Sequence, residues 1–309
     1  MDAQQSPRKT SLIQTAPGSH LHSFGPTEWT LLASVAIVWG SSFLFIAVAL
    51  ESFEPAFITA GRFVLGFVTL SAFPAARRQV ARHDWPGVIA VGVVWMAFPM
   101  YLFPVAQQWI SSSLAGMING AVPLFAAAFA AVLLRKRPRR VQVAGLLIGF
   151  VGVVLVSARG GSTADNGYLG VGLLLIAVMC YGLGVNLAVP LQQRYGALPV
   201  LWRATGVAVV LTLPLGLMSP PDGVSGASTA ALIALGSLGT GLAFVAMTTL
   251  VGRAGATRGA VATYFIPLVA LFLGVAFRSE EAPAISLIGV ALILVGAWFT
   301  SRSETPGGG

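Results

Sequence analysis

Charge is scarce in this chain. Asp, Glu, Lys and Arg make up 9% of its 309 residues, where a soluble domain carries about a quarter, because it needs a hydrated surface. With 56% hydrophobic residues the chain could not cover itself with polar groups in water. That excludes a soluble globular protein and makes a bilayer its solvent. Cysteine is reduced to Cys180, which excludes an intrachain disulfide and a multi-cysteine metal site. Its apolar surroundings give it a packing role. The three histidines, His20, His22 and His83, fall outside the apolar runs. No His/Cys/Asp/Glu group has metal-ligand spacing, and Gly160-Gly161 is a loop pair rather than part of a Walker motif. No metal, no cofactor and no ATP-driven step is therefore expected. The polar stretch Met1–Gly25 lacks an apolar core of about 7–15 residues before a small-residue cleavage site, and reads as a disordered tail. Ser303–Gly309 reads as a second short tail.

What remains is long apolar sequence. Ten segments stand out, at about 30–50, 55–76, 87–107, 113–134, 141–158, 168–189, 198–218, 229–250, 259–277 and 284–301. Each is near the ~20 residues that a helix needs to cross the hydrocarbon core. The 36 glycines suit close helix approach in lipid. The net charge of +8 does not imply nucleic acid, since no soluble domain remains to present a basic face. The basic residues instead orient the chain. With the N-terminus in the cytoplasm, fourteen of the 18 Lys and Arg lie on the cytoplasmic side, only Arg159 and Arg278 lie outside, and Arg62 and Arg203 fall within spans. An even number of spans returns the C-terminus to the cytoplasm.

The sequence also repeats itself. Shifted by 144 residues, Pro123, Leu124, Ala126, Gly145, Val151 and Gly152 meet Pro267, Leu268, Ala270, Gly289, Val295 and Gly296. Trp39-Gly40 aligns with Tyr181-Gly182 and Arg62 with Arg203 at slightly smaller shifts. The repeats run over 29–158 and 168–301. Five spans in each force the second to sit upside down. Inverted repeats are a construction principle of secondary transporters, with the substrate site near the midplane between halves. The expected fold is an all-α membrane protein of ten transmembrane helices in two inverted five-helix repeats.

These residues resemble the drug/metabolite transporter superfamily, in its ten-span group with two EamA domains. The resemblance rests on Trp39-Gly40-Ser41-Ser42-Phe43, on Ala60-Gly61-Arg62-Phe63, on Pro267-Leu268-Val269-Ala270-Leu271-Phe272-Leu273-Gly274, on Glu280 thirteen residues after that proline, and on Ile288-Gly289. In the first copy Lys136 stands where the second has Glu280. The resemblance implies two five-helix halves around a central cavity that passes amino acids, nucleosides, related metabolites or drugs, and a multi-pass protein of the cell membrane.

Arg62 and Arg203 head the candidate pathway residues, because a charge within a span is costly and often functional. Each is either an anion clamp for a carboxylate or phosphate or a helix anchor that snorkels or pins a carbonyl. Trp39, Ser41, Ser42, Tyr101, Asn119, Tyr181, Asn186, Thr263 and Tyr264 follow, since polar groups in hydrocarbon need interior partners. Packing between helices is the alternative for each. Pro99, Pro104, Pro123, Pro190, Pro214 and Pro267 each remove a helix hydrogen bond; the duplicated Pro123 and Pro267 are the candidates for kinks or gating points.

A small-molecule substrate and the lipid bilayer are the expected partners, and a homo-oligomer is left open. A membrane enzyme or lipid-handling protein is the competing class. It would need catalytic acids, bases or nucleophiles at the membrane face, and the ten segments contain no Asp, Glu or His. The same absence suggests facilitated diffusion or exchange rather than proton coupling.

Overall fold

The computed structural model describes residues 25–133, 140–157, 167–221, 223–254 and 259–301, with side chains through Phe299. The two tails with His20 and His22, Lys136 and its basic neighbours 135–139, Arg159, Gly160-Gly161, Asp165, Asp222 and Arg258 lie outside the described residues. Among the described residues there is no strand, and the chain runs through ten principal helices. These are α1 (Pro26–Ala49), α2 (Pro55–Ser71), α3 (Arg82–Ala106), α4 (Ser112–Leu133), α5 (Arg140–Ser157), α6 (Gly167–Tyr195), α7 (Ala197–Leu217), α8 (Gly226–Ala254), α9 (Val261–Arg278) and α10 (Ala284–Ser301). Eight are long and apolar enough to cross a membrane; α2 and α10 are shorter apolar helices.

Local chemistry sets several ends away from the hydropathy limits. α2 stops at Ser71 because Phe73 precedes Pro74 and is extended, at φ −95° and ψ 114°, as a residue before proline prefers. α1 starts earlier than expected, with Pro26 in its first turn, where the missing N–H costs nothing. Glu28 thus belongs to α1 rather than to a loop. It is buried, accepting from the Gly25 amide at 3.0 Å and from Arg253 Nε at 2.6 Å. α6 runs through Pro190 to Tyr195 and ends where Gly196 adopts φ 85°, a conformation open to glycine.

Two helices change register midway. α3 is π-helical over Gly92–Ala97 and α8 over Ala234–Leu242. Pro99 has no N–H to give the Trp95 carbonyl, and Gly236, Gly239 and Gly241 leave the α8 backbone free to widen. Such segments recur at functional sites. α4 is broken at Gly120–Ala121, just before Pro123.

Glycines set the helix contacts. An added Cβ on Gly40 of α1 would stand 2.5 Å from Val269 of α9, and one on Gly182 of α6 would stand 2.7 Å from the Ala126 nitrogen of α4. A Cβ on Gly66 of α2 would stand 2.6 Å from the Thr240 methyl of α8, and one on Gly92 of α3 would stand 3.0 Å from the Ala204 carbonyl oxygen of α7. α5 and α10 meet backbone to backbone: an added Cβ on Gly152 would stand 2.5 Å from the Gly289 carbonyl oxygen, and one on Gly296 would stand 2.5 Å from that of Gly145. The α1–α9 and α2–α8 contacts have counterparts five helices on, in α6–α4 and α7–α3. Outward, the bundle shows bare apolar side chains such as Val210 at 72% exposure and Phe272 at 67%, a surface suited to lipid.

Candidate functional site

Arg62 lies near the middle of α2 and is 7% exposed. Its Nε donates to Thr240 Oγ1 at 2.9 Å, and Thr240 is fully buried within the π segment of α8. No carboxylate among the described residues pairs with this guanidinium. Next to Thr240, the Gly239 carbonyl accepts from Trp39 Nε1 of α1 at 3.0 Å. α1 and α2 thus fasten polar groups to adjacent residues of one widened segment. Trp39 borders all three clusters of buried apolar side chains.

Aromatic rings join this segment to the other one. Phe244, just beyond the α8 π segment, meets Trp39 edge-on at 5.8 Å and Trp95 of the α3 π segment at 6.1 Å. Tyr181 of α6 stacks on Phe103 of α3 at 5.6 Å and lies close enough to Arg62 for the two to interact electrostatically. Phe103 also packs on Phe43 of α1 at 5.7 Å. The centre of the bundle is therefore an aromatic box with one buried guanidinium, whose fork suits a planar anion such as a carboxylate.

Other expected pathway residues are engaged locally. Ser41 and Ser42 are buried and donate to carbonyls of their own helix, Ile37 at 2.7 Å and Val38 at 3.0 Å; Ser42 also faces Gly239. Asn186 donates to the Ala126 carbonyl of α4 at 2.9 Å and to Gly182 at 2.8 Å. Thr263 donates to Ala260 at 2.7 Å, and Tyr264 reaches the Ala297 carbonyl of α10 at 3.2 Å. Tyr101 and Asn119 are half-buried, the latter beside the α4 break. Pro123 opens the second part of α4, and Pro267 is buried in α9 facing Gly120.

Arg203 differs from its aligned counterpart. Its Nη1 donates to the Pro199 carbonyl at 3.0 Å and the Ala76 carbonyl at 3.5 Å, and its guanidinium lies 5.3 Å from the Trp202 ring centre.

A cavity of about 830 Å³ opens at the end of the bundle opposite Pro26, between the end of α1, the start of α2, the end of α3 and the end of α9. Here Ser279 takes a left-handed conformation, φ 53°, and turns Glu280 over the start of α4. The carboxylate accepts from the Ser112 amide at 2.9 Å, Ser112 Oγ at 2.7 Å, the Ser113 amide at 2.7 Å and Ser113 Oγ. Two serines that are almost fully buried thus receive a cap from a residue 168 positions away, and an anion at a helix N-terminus is favourable.

At the Pro26 end, two ion pairs bridge helices. Arg253 of α8 binds Glu28 of α1, and Arg194 of α6 binds Asp84 of α3 at 2.5 Å, with the Tyr195 hydroxyl on the same carboxylate oxygen. Glu28, Asp84, Thr240 and Gln107 were not among the expected site residues. The run Gly236–Gly241, with its polar residues inside an apolar helix, was the available signal for Thr240.

Fold and site define a multi-pass helical membrane protein with a polar, aromatic interior. The chain belongs to the EamA-like transporter family, whose sequence profile matches residues 28–158 and 168–302, and it is a membrane transporter. A probable terminal-alkyne amino-acid exporter of Streptantibioticus cattleyicolor is 26% identical over 282 residues, 89% of this chain and 93% of that one. An uncharacterized inner membrane transporter of Escherichia coli, YedA, is 25% identical over 273 residues, 85% and 87% of the two chains. A solved crystal structure shares the fold, with a TM-score of 0.62 at 22% identity over 91% of this chain and 99% of its own.

Proposed function

We propose that this chain is a secondary carrier that exports small metabolites, amino acids or related compounds, by alternating access. The observation that carries this reading is Arg62: a mid-helix guanidinium, held by Thr240 and paired with no carboxylate among the described residues, is matched to an anionic group inside the bundle. A buried cation without a counter-charge is costly, and a substrate carboxylate relieves that cost. Trp39, Ser42 and Tyr181 line the pathway around it, while Arg203, Asn186 and Tyr264 brace helices. The relative named as an amino-acid exporter supports the substrate class.

Ten spans in two inverted repeats, with both termini cytoplasmic in the cell membrane, complete the reading. Support comes from the exchanged helix contacts and from the two π segments, which begin 142 residues apart, the same shift that aligns Trp39 with Tyr181. One end is held by two ion pairs while the other carries the cavity, as an outward-facing carrier would be.

The test is counterflow of radiolabelled amino acids, nucleosides and small carboxylates in proteoliposomes. Exchange of at least one carboxylate-bearing solute, lost in Arg62→Gln, is expected. Full activity of Arg62→Gln on every transported solute would overturn the assignment.

A further inference from the structure

The polar groups at the centre of the bundle differ in what they still have to give. The Trp39 indole N–H is spent on the Gly239 carbonyl. The Ser41 and Ser42 hydroxyls are spent on carbonyls of their own helix. Thr240 accepts from Arg62 Nε and leans on the Leu235 carbonyl at 3.5 Å. Two side chains keep donors in hand. Nη1 and Nη2 of Arg62 meet no partner among the described residues, and neither nitrogen is sealed off by its neighbours. The Tyr181 hydroxyl, within electrostatic reach of Arg62, is in the same position. The centre thus offers spare donors and one full positive charge. It offers no negative charge: the described carboxylates, Glu28, Glu51, Glu54, Asp84, Glu280 and Glu281, all lie at helix ends or between helices.

We propose that the site around Arg62 selects monoanionic carboxylates with an apolar body and no ammonium group, taking aryl and alkyl acids ahead of α-amino acids. Charge balance decides the order. A monocarboxylate on the Arg62 fork leaves the interior neutral, and its two oxygens accept from the guanidinium pair and from the Tyr181 hydroxyl. A zwitterion satisfies Arg62 equally, but brings an ammonium for which the interior holds no counter-charge. Desolvating that ion is costly, and the ring faces of Trp39, Phe43 and Phe103 return less than a carboxylate would. The same rings suit the apolar body of an acid. A free amine fares worst, since it meets Arg62 with like charge. The inference rests on Arg62 as the anion-binding group of a carrier, and it narrows the carboxylate-bearing solutes of that reading.

Three matched probes test the order: 3-phenylpropanoate, L-phenylalanine, which adds only the ammonium, and 2-phenylethylamine, which keeps the ammonium and lacks the carboxylate. Binding of tritiated 3-phenylpropanoate to the full-length protein in nanodiscs is measured by scintillation proximity at neutral pH, with the other two as competitors. L-phenylalanine is expected to displace the acid only at concentrations higher by about tenfold or more, and the amine not to displace it. Tyr181→Phe keeps the ring and removes the donor, so it should weaken binding of the acid about tenfold, the loss of one hydrogen bond to a charged group. Arg62→Gln should abolish binding. Size-exclusion profiles confirm that each variant is folded, and Tyr181→Phe alone decides if Arg62→Gln is not. Displacement by L-phenylalanine at equal or lower concentration, displacement by the amine, no specific binding of the acid, or undiminished binding in Tyr181→Phe would overturn the inference. Binding in the expected order without counterflow of any solute would retain the site and remove the carrier reading; counterflow of L-phenylalanine by a protein that does not bind the acid would do the reverse.

Discussion

Arg62 Nε donates to Thr240 Oγ1 at 2.9 Å across 178 residues of sequence, and this bond fixes the height and facing of the one cation buried in the α2 interior. Thr240→Val removes the positioning contact and keeps the charge. Transport should fall about tenfold, the value of one hydrogen bond to a charged group. Arg62→Lys keeps the charge without the planar fork and should lose more. Initial rates of counterflow over a substrate range separate the two: Thr240→Val should act mainly on half-saturation, and equal rates in all three proteins would refute the relationship.

Glu280 caps α4 with both carboxylate oxygens. Glu280→Ala leaves two buried amides and two hydroxyls without an acceptor and should destabilise the protein by about 1–3 kcal/mol. Glu280→Gln keeps one oxygen and should fall between. Thermal unfolding in detergent, followed by Trp fluorescence, reads the order wild type, Gln, Ala; an unchanged midpoint in the alanine variant would show that the cap is dispensable.

Much of this was legible in the sequence, because hydropathy reports directly on lipid contact. The segments, the intramembrane Arg62 and the spacing from Pro267 to Glu280 could all be read in order. Their partners could not. Thr240 and the Ser112–Ser113 amides lie 167 to 178 residues from the groups they bind, and one sequence carries no record of such contacts. The π segments were hidden for another reason: a register change over six or nine residues hardly disturbs a helical apolar pattern. Asn186 and Tyr264 were legible as polar groups in lipid, but whether such a group faces a pathway or a neighbouring carbonyl depends on packing angles that spacing does not fix.

The α5–α10 interface depends on bare backbone. Gly296→Val would place side-chain carbons within 2.5 Å of the Gly145 carbonyl and the Gly149 nitrogen. Overpacking costs about 1–3 kcal/mol even where side chains can move, and here the obstacle is main chain. Folded yield by fluorescence-detected chromatography should collapse for Gly296→Val and stay near wild type for Gly172→Ala, where an added Cβ meets nothing within 4 Å.

The ion pairs at the Pro26 end allow a test of alternating access that needs no substrate. Glu28–Arg253 joins α1 to α8, and Asp84–Arg194 joins α3 to α6. Behind the first pair lies a small cluster of Leu32, Val35, Leu250 and Ala262, in which Val35 has no exposure at all. If these pairs hold this end shut, Arg253→Gln combined with Arg194→Gln should let it open more often. Val35→Cys in a Cys180→Ala background reports the opening through its labelling rate with a membrane-impermeant thiol reagent added from the N-terminal side. Both pairs are partly solvated, so salt screens them. Raising ionic strength should therefore speed labelling in the protein that retains the pairs and change little in the double variant. A rate unaffected by the two substitutions and by salt would mean that apolar packing alone closes this end, and that the ion pairs do not control access from it.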